Sequence, residues 1–274
     1  MKRIIFLLAA MFGAFSLTAQ KPIIIRGIIS NCPNPNSSRI EKRWFNPERL
    51  EEERINTDFS ISKDGNFKVE IPDADNTYVR YWISLGNENT HLDLIAGDNL
   101  YMTSNANVFD ESIKYTGIGA ERNNYRRDVF LEFWDINLDS KVNDHVDINS
   151  FLTGLKNLTE RKLELLDKHF EAGKIDSSYY QFEKKMIAYE KANHIIDHNL
   201  RYHNHNHLPY QAASQIDSIL KAVSFNDDRF LQFNEFRDLI LQLPRYVLNQ
   251  NSEKPVTNLK QEIEYANGHY THLM

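Results

Sequence analysis

The sequence predicts an α+β protein, an N-terminal antiparallel β-sandwich followed by a helical bundle or arm. Three observations carry this. Short β-branched and aromatic runs separated by turn residues fill the chain from Lys21 to about Thr116. From Ala120 onward glycine becomes rare and apolar residues recur at three and four positions instead of two. Hydrophobic residues make up 41% of the 274 and charged residues 26%, a globular composition with 16 Phe and 13 Tyr to fill a core. The expected division is a signal peptide over 1–20, a sandwich domain over 21–118 and a helical domain over 119–274.

The first segment stands apart. Lys2 and Arg3 precede an apolar run from Ile4 to Phe15, and Ser16 to Gln20 offers small residues for cleavage. The run is too short for a membrane span, which needs about 20 apolar residues. It reads as a secretory signal, with a periplasmic product. Cys32 lies too far beyond it to be a lipid anchor.

The strands follow in order. Ile23 to Ile29 is β-branched and ends in the Asn31–Asn36 loop. Ile55 to Ile61 leads into Lys63-Asp64-Gly65-Asn66, a hairpin signal. Phe67, Val69 and Ile71 alternate with Lys68 and Glu70, as in a strand with one wet face. Tyr78 to Leu85 and His91 to Ile95 are further strands, and Gly97-Asp98-Asn99 turns the chain into Leu100 to Thr103. Gly65 and Gly97 suit positive φ, and Asp98 suits a turn-fixing acceptor. Gly117 and Gly119 would let the chain pass from sheet to helix at close range, with Asn123 and Asn124 anchoring that helix.

The helices follow. Tyr125, Val129, Phe130, Phe133 and Trp134 form the first apolar stripe. Phe151 to Phe170, capped near Asp147 to Ser150 and stopped at Gly173, marks the second. Phe182 to Leu200 marks the third and Ala212 to Val223 the fourth. Asp227-Asp228 opens a fifth that runs to about Pro244, and Leu259 and Ile263 indicate a short last helix.

Several of these features resemble one family. Ile25-Arg26-Gly27-Ile28, Asp64-Gly65-Asn66-Phe67, Ala96-Gly97-Asp98-Asn99-Leu100 and the run from Tyr115-Thr116-Gly117-Ile118-Gly119-Ala120 to Tyr125 resemble steps of the N-terminal module of secreted TlpA-like thiol–disulfide oxidoreductases. His205 to Ala213 is a looser match to a later phrase. The resemblance implies a non-catalytic module that positions or dimerises a redox domain, or docks a partner in the envelope. The family's catalytic element is a Trp-Cys-x-x-Cys pair, in which one thiolate attacks and a second thiol resolves the mixed disulfide. Cys32 is the one cysteine here, so disulfide reduction is not expected, and neither enzymatic activity nor a cofactor is.

Charge and composition bound the alternatives. The formal net charge is −6, and more negative without Lys2 and Arg3, which argues against nucleic acid as a partner. The expected partner is an envelope protein or a second copy of the chain, and no span crosses a membrane in the mature chain. Five of the ten histidines fall at His194, His198, His203, His205 and His207. On a helix His194 and His198 share a face at a spacing that grips zinc or copper, and the other three share a face if extended. The plainer reading is a polar helix end followed by a solvated loop. Trp44, Tyr81, Trp82, Tyr101 and Tyr115 could line a sugar groove, although alternating aromatics are more often core or cross-strand pairs. The second functional reading is therefore an envelope protein that binds metal or glycan. The acidic run Glu48 to Glu53 reads as a solvated face or loop, and no nucleophile elbow groups Ser, His and Asp.

Overall fold

The computed structural model describes residues 21–33, 37–46, 51–72, 74–136, 148–206, 218–225 and 227–250. The expected signal peptide, the helix cap at Asp147, the first half of the expected fourth helix and the last short helix lie outside the described residues.

The chain is α+β, with two four-stranded sheets and a set of helices. Eight strands come first: β1 (Ile23–Ser30), β2 (Ser38–Asn46), β3 (Glu51–Phe59), β4 (Asn66–Ile71), β5 (Val79–Leu85), β6 (Glu88–Leu94), β7 (Asn99–Asn105) and β8 (Lys114–Ile118). One sheet has the order β4-β1-β7-β8 and the other, which curls, β3-β2-β5-β6. The short helix α1 (Phe109–Ser112) interrupts the strands before β8.

The helices α2 (Ala120–Phe133), α3 (Ile148–Glu171) and α4 (Ser177–Asn206) follow. A 3-10 turn (Asp228–Gln232) then leads into α5 (Asn234–Gln250).

Alternation builds one core from strands of both sheets. Val79, Tyr81, Ile83 and Leu85 of β5 are buried, with Arg80, Trp82 and Ser84 on the opposite face. Ile23, Ile25 and Ile29 of β1 join Leu92, Leu94, Leu100 and Met102 in the same core. A second core forms among the helices around Ile195, Ile196, Phe236, Leu239 and Tyr246. A smaller cluster of Tyr125, Leu166, Ile175, Tyr179 and Ile187 joins α2, α3 and α4.

Four expectations change. The first sheet is mixed, because β1 runs parallel to β7, Ile24 opposite Asn99. The Asp64-Gly65 turn does not close a hairpin within one sheet. It carries the chain from β3 in one sheet to β4 in the other, with a lone bridge between Ile61 and Phe67. Gly65 has φ +81, and its carbonyl accepts from Ile29 N at 2.9 Å. The acidic run is not all loop, since Glu51 to Glu53 open β3 and pair with Asn46, Phe45 and Trp44 of β2. The fifth helix continues through Pro244 to Gln250.

The apolar stripe expected on α2 divides. Tyr125 and Phe133 are buried, but Phe130 is 46% and Trp134 68% exposed, their rings stacked at 6.5 Å.

Two glycines test the backbone logic in opposite directions. Gly117 sits at φ +95, and a Cβ there would lie 2.2 Å from the Asn99 carbonyl oxygen. Gly117→Ala should therefore cost more than about 2 kcal/mol in urea unfolding, left-handed strain adding to the clash. Gly154 in α3 has open space around its Cβ position. Gly154→Ala should gain about 0.5–1 kcal/mol in the same assay.

Candidate functional site

A buried charge network centred on Asp93 lies where helices cover one face of β5 and β6. Arg80 and Asp93 are cross-strand partners, so adjacent strands place them side by side. Their pairing is two-pronged, with Arg80 Nε 2.8 Å from Asp93 Oδ1 and Nη2 3.3 Å from Oδ2. Tyr179 of α4 donates its hydroxyl to Asp93 Oδ2 at 2.8 Å. Arg126 of α2 brings Nε to 3.7 Å from the same oxygen and Nη1 to 3.0 Å from Glu183 Oε1 of α4. Arg80 Nη1 also reaches Glu235 Oε1 of α5 at 3.0 Å.

Protonation follows from these partners. Burial alone would raise the Asp93 pKa, but Arg80, Arg126 and the Tyr179 hydroxyl win and hold the carboxyl well below the usual range. Burial wins at Glu183, whose carboxyl is pushed up despite Arg126 and Arg80. Arg80 stays charged, its carboxylates outweighing the loss of hydration.

Beside the network lies the joint between sheet and helix. Gly119, at φ +90, precedes α2, where a Cβ would meet Asp98 and Arg122. Asp98 Oδ2 accepts from Ile95 N at 2.9 Å and pairs with Arg122. Asn123 spans to β6, accepting from Asp93 N at 2.9 Å and donating to Asp93 O at 3.2 Å. Asn124 does the same for Tyr115, at 3.1 and 3.0 Å. Gly97, at φ +90, makes the turn before β7. Gly117, at φ +95, lies within β8, two residues before this joint.

Two clefts flank Phe233. One, about 290 Å³, has Tyr78, Phe182, Phe230 and Phe233 as walls, with Lys185 and Arg229 at its edge, both paired with Asp227. The other, about 170 Å³, lies over the ion network and includes Arg43, Arg80, Arg126 and His91.

The histidines take separate places. His194 Nε2 lies 3.6 Å from Glu190 Oε1, and Lys162 Nζ reaches the same oxygen at 2.5 Å. His198 is buried and stacks on Phe151 at 4.0 Å. His203 and His205 belong to α4, so the chain is not extended there, and His207 lies outside the described residues. Among the described residues no group of three or more His, Cys, Asp and Glu side chains is arranged to hold a metal ion.

The aromatics expected to line a sugar groove are dispersed. Tyr81 and Tyr115 are core residues, Tyr101 is on the other sheet from Trp82, and Trp82 meets His91 edge-on at 4.5 Å. Cys32 places Sγ 3.9 Å from Leu85 O.

Sequence reasoning missed Arg80, Asp93, Arg126, Tyr179 and Glu183. One signal was available: Glu183 interrupts the apolar stripe of α4 between Phe182 and Met186.

Removing the central carboxylate tests the network. Asp93→Asn should cost about 3–5 kcal/mol, because Arg80 and Arg126 lose their shared buried partner. The pH dependence has a definite sign. The Asp93 pKa is depressed in the fold, so its contribution is full above the unfolded value of about 4 and is lost as pH falls below it. Glu183, raised, acts in the opposite sense. Urea midpoints should fall less steeply for Asp93→Asn than for the unmodified chain between about pH 4 and pH 2.

No family model, curated protein or solved structure matches this chain.

Proposed function

We propose that this chain is an exported, non-catalytic module related to the N-terminal region of TlpA-like thiol–disulfide oxidoreductases, and that it positions or docks a partner in the periplasm. In this reading the two sheets are the layers of a β-sandwich, and the helices are the arm they carry. One observation carries it. The polar groups of the segment that bears the resemblance, from Asp93 through Asp98 to Asn123 and Asn124, bond to the chain itself at the start of α2. They fix the direction of a helix, as a positioning module requires.

That helix ends in exposed aromatic surface. Phe130 and Trp134 stack near its C-terminus, beside half-exposed Leu131. Large exposed aromatics are enriched where proteins meet. Self-association through this surface is the simplest form of docking.

Sedimentation equilibrium of the purified chain tests it. The expected result is a reversible dimer that Trp134→Glu weakens at least about tenfold, equivalent to about 1.4 kcal/mol. A chain that stays monomeric throughout the micromolar range, or a dimer indifferent to Trp134→Glu, counts against this surface. Reduction of insulin disulfides by the chain would overturn the non-catalytic reading.

A further inference from the structure

The smaller cleft presents Arg43 and Arg126 beside Arg80, whose nitrogens are taken up by Asp93 and Glu235. Its walls are Trp82 and Phe233, and it is lined by Arg43, Arg80, Arg126 and His91, with Glu235 at one side. Arg80 and Arg126 are held from beneath by Asp93 and Glu183. A guanidinium carries five N–H donors in a rigid fork, so anchoring one edge leaves the other edge aimed and ordered.

Arg126 is held on its protein side, with Nη1 3.0 Å from Glu183 Oε1. Its Nε–H is buried and has no hydrogen-bond partner, with Asp93 Oδ2 at 3.7 Å. Arg43 is tied by Nε to Glu41 Oε1 at 2.8 Å and is otherwise partly exposed.

His91 reports the field in the cleft. Crowding by surrounding protein lowers its pKa to about 4, and Arg80, Arg126 and Arg43 add to this against the opposing pull of Asp93. The ring is neutral near pH 7, able to donate one N–H.

Asp93, Glu183 and Glu41 lie on the protein side of the arginines they pair with, each almost fully buried. Glu235 is the carboxylate at the cleft itself. The open side therefore presents more cationic than anionic groups.

We propose that this cleft binds a small oxyanion, with Arg43, Arg126 and His91 as donors and Trp82 and Phe233 as walls. Its volume of about 170 Å³ suits a phosphate, a sulfate or a short carboxylate. Guanidinium groups favour such ligands because paired N–H donors match paired oxygens. The assignment is independent of the docking surface on α2.

Calorimetry and thermal unfolding of the full chain test it, with inorganic phosphate, sulfate and acetate compared against chloride at matched ionic strength. The expected result is millimolar or tighter binding of at least one oxyanion, with a rise in Tm that chloride does not produce. Arg43→Gln should weaken it about tenfold, and His91→Glu should abolish it by placing a negative charge in the cleft. Preference for phosphate and sulfate over acetate would assign a tetrahedral anion, and the reverse a carboxylate. Nuclear magnetic resonance of the unmodified chain guards against variants that fold poorly, since the Trp82 indole and Arg126 Nε–H signals should move on titration. Absence of binding beyond chloride overturns the proposal. So does binding that leaves those signals unmoved, or binding unchanged in both folded variants.

Discussion

The shared grip of Arg80 and Arg126 on Asp93 is the constraint on which the arrangement of sheets and helices depends. Asp93 is fully buried, and a carboxylate taken out of water is tolerated only when its oxygens are met by strong donors. Those donors come from a neighbouring strand and from α4, with the Arg126 charge of α2 at 3.7 Å, while Arg80 extends the chain of contacts to α5. Each element must be in place before the charge is satisfied. A greasy contact tolerates sliding, but a two-pronged arginine pair beside a tyrosine hydroxyl admits one register.

The joint at the start of α2 extends the same economy to the backbone. Asn123 and Asn124 mimic strand neighbours, one on Asp93 and the other on Tyr115. Both strands thereby hold the first turn of the helix, and Arg122 closes the site by bonding Asp93 O at 3.0 Å. Charge network and joint share Asp93, the first through its side chain and the second through its main chain.

Much of the fold was legible in the sequence because alternation and turn chemistry are local. The strands from Ile23, Phe67, Tyr78 and Leu100 bury alternate residues, and Gly65 and Gly97 stand at positive φ as their turns implied. β2 escaped because Arg39, Glu41, Lys42 and Arg43 give Ser38–Asn46 no clean alternation. The parallel partnership of β1 and β7 was illegible, since strand direction depends on connections far along the chain. The ion network was hidden for a related reason. Arg80 and Asp93 occupy positions that alternation assigns to solvent, and the helices that cover them come much later in the sequence. Phe130 and Trp134 show the converse, apolar by pattern yet left uncovered by the described residues.

The pairing of β1 with β7 has a consequence in time. Both are interior strands of their sheet, and Ile24 must meet Asn99 across all the intervening chain. Closing so long a loop is slow and is rewarded only once both partners are present. While the chain has been synthesised only as far as β4, β1 has only β4 to pair with. The sheet is therefore completed late, once β7 is present to join β1.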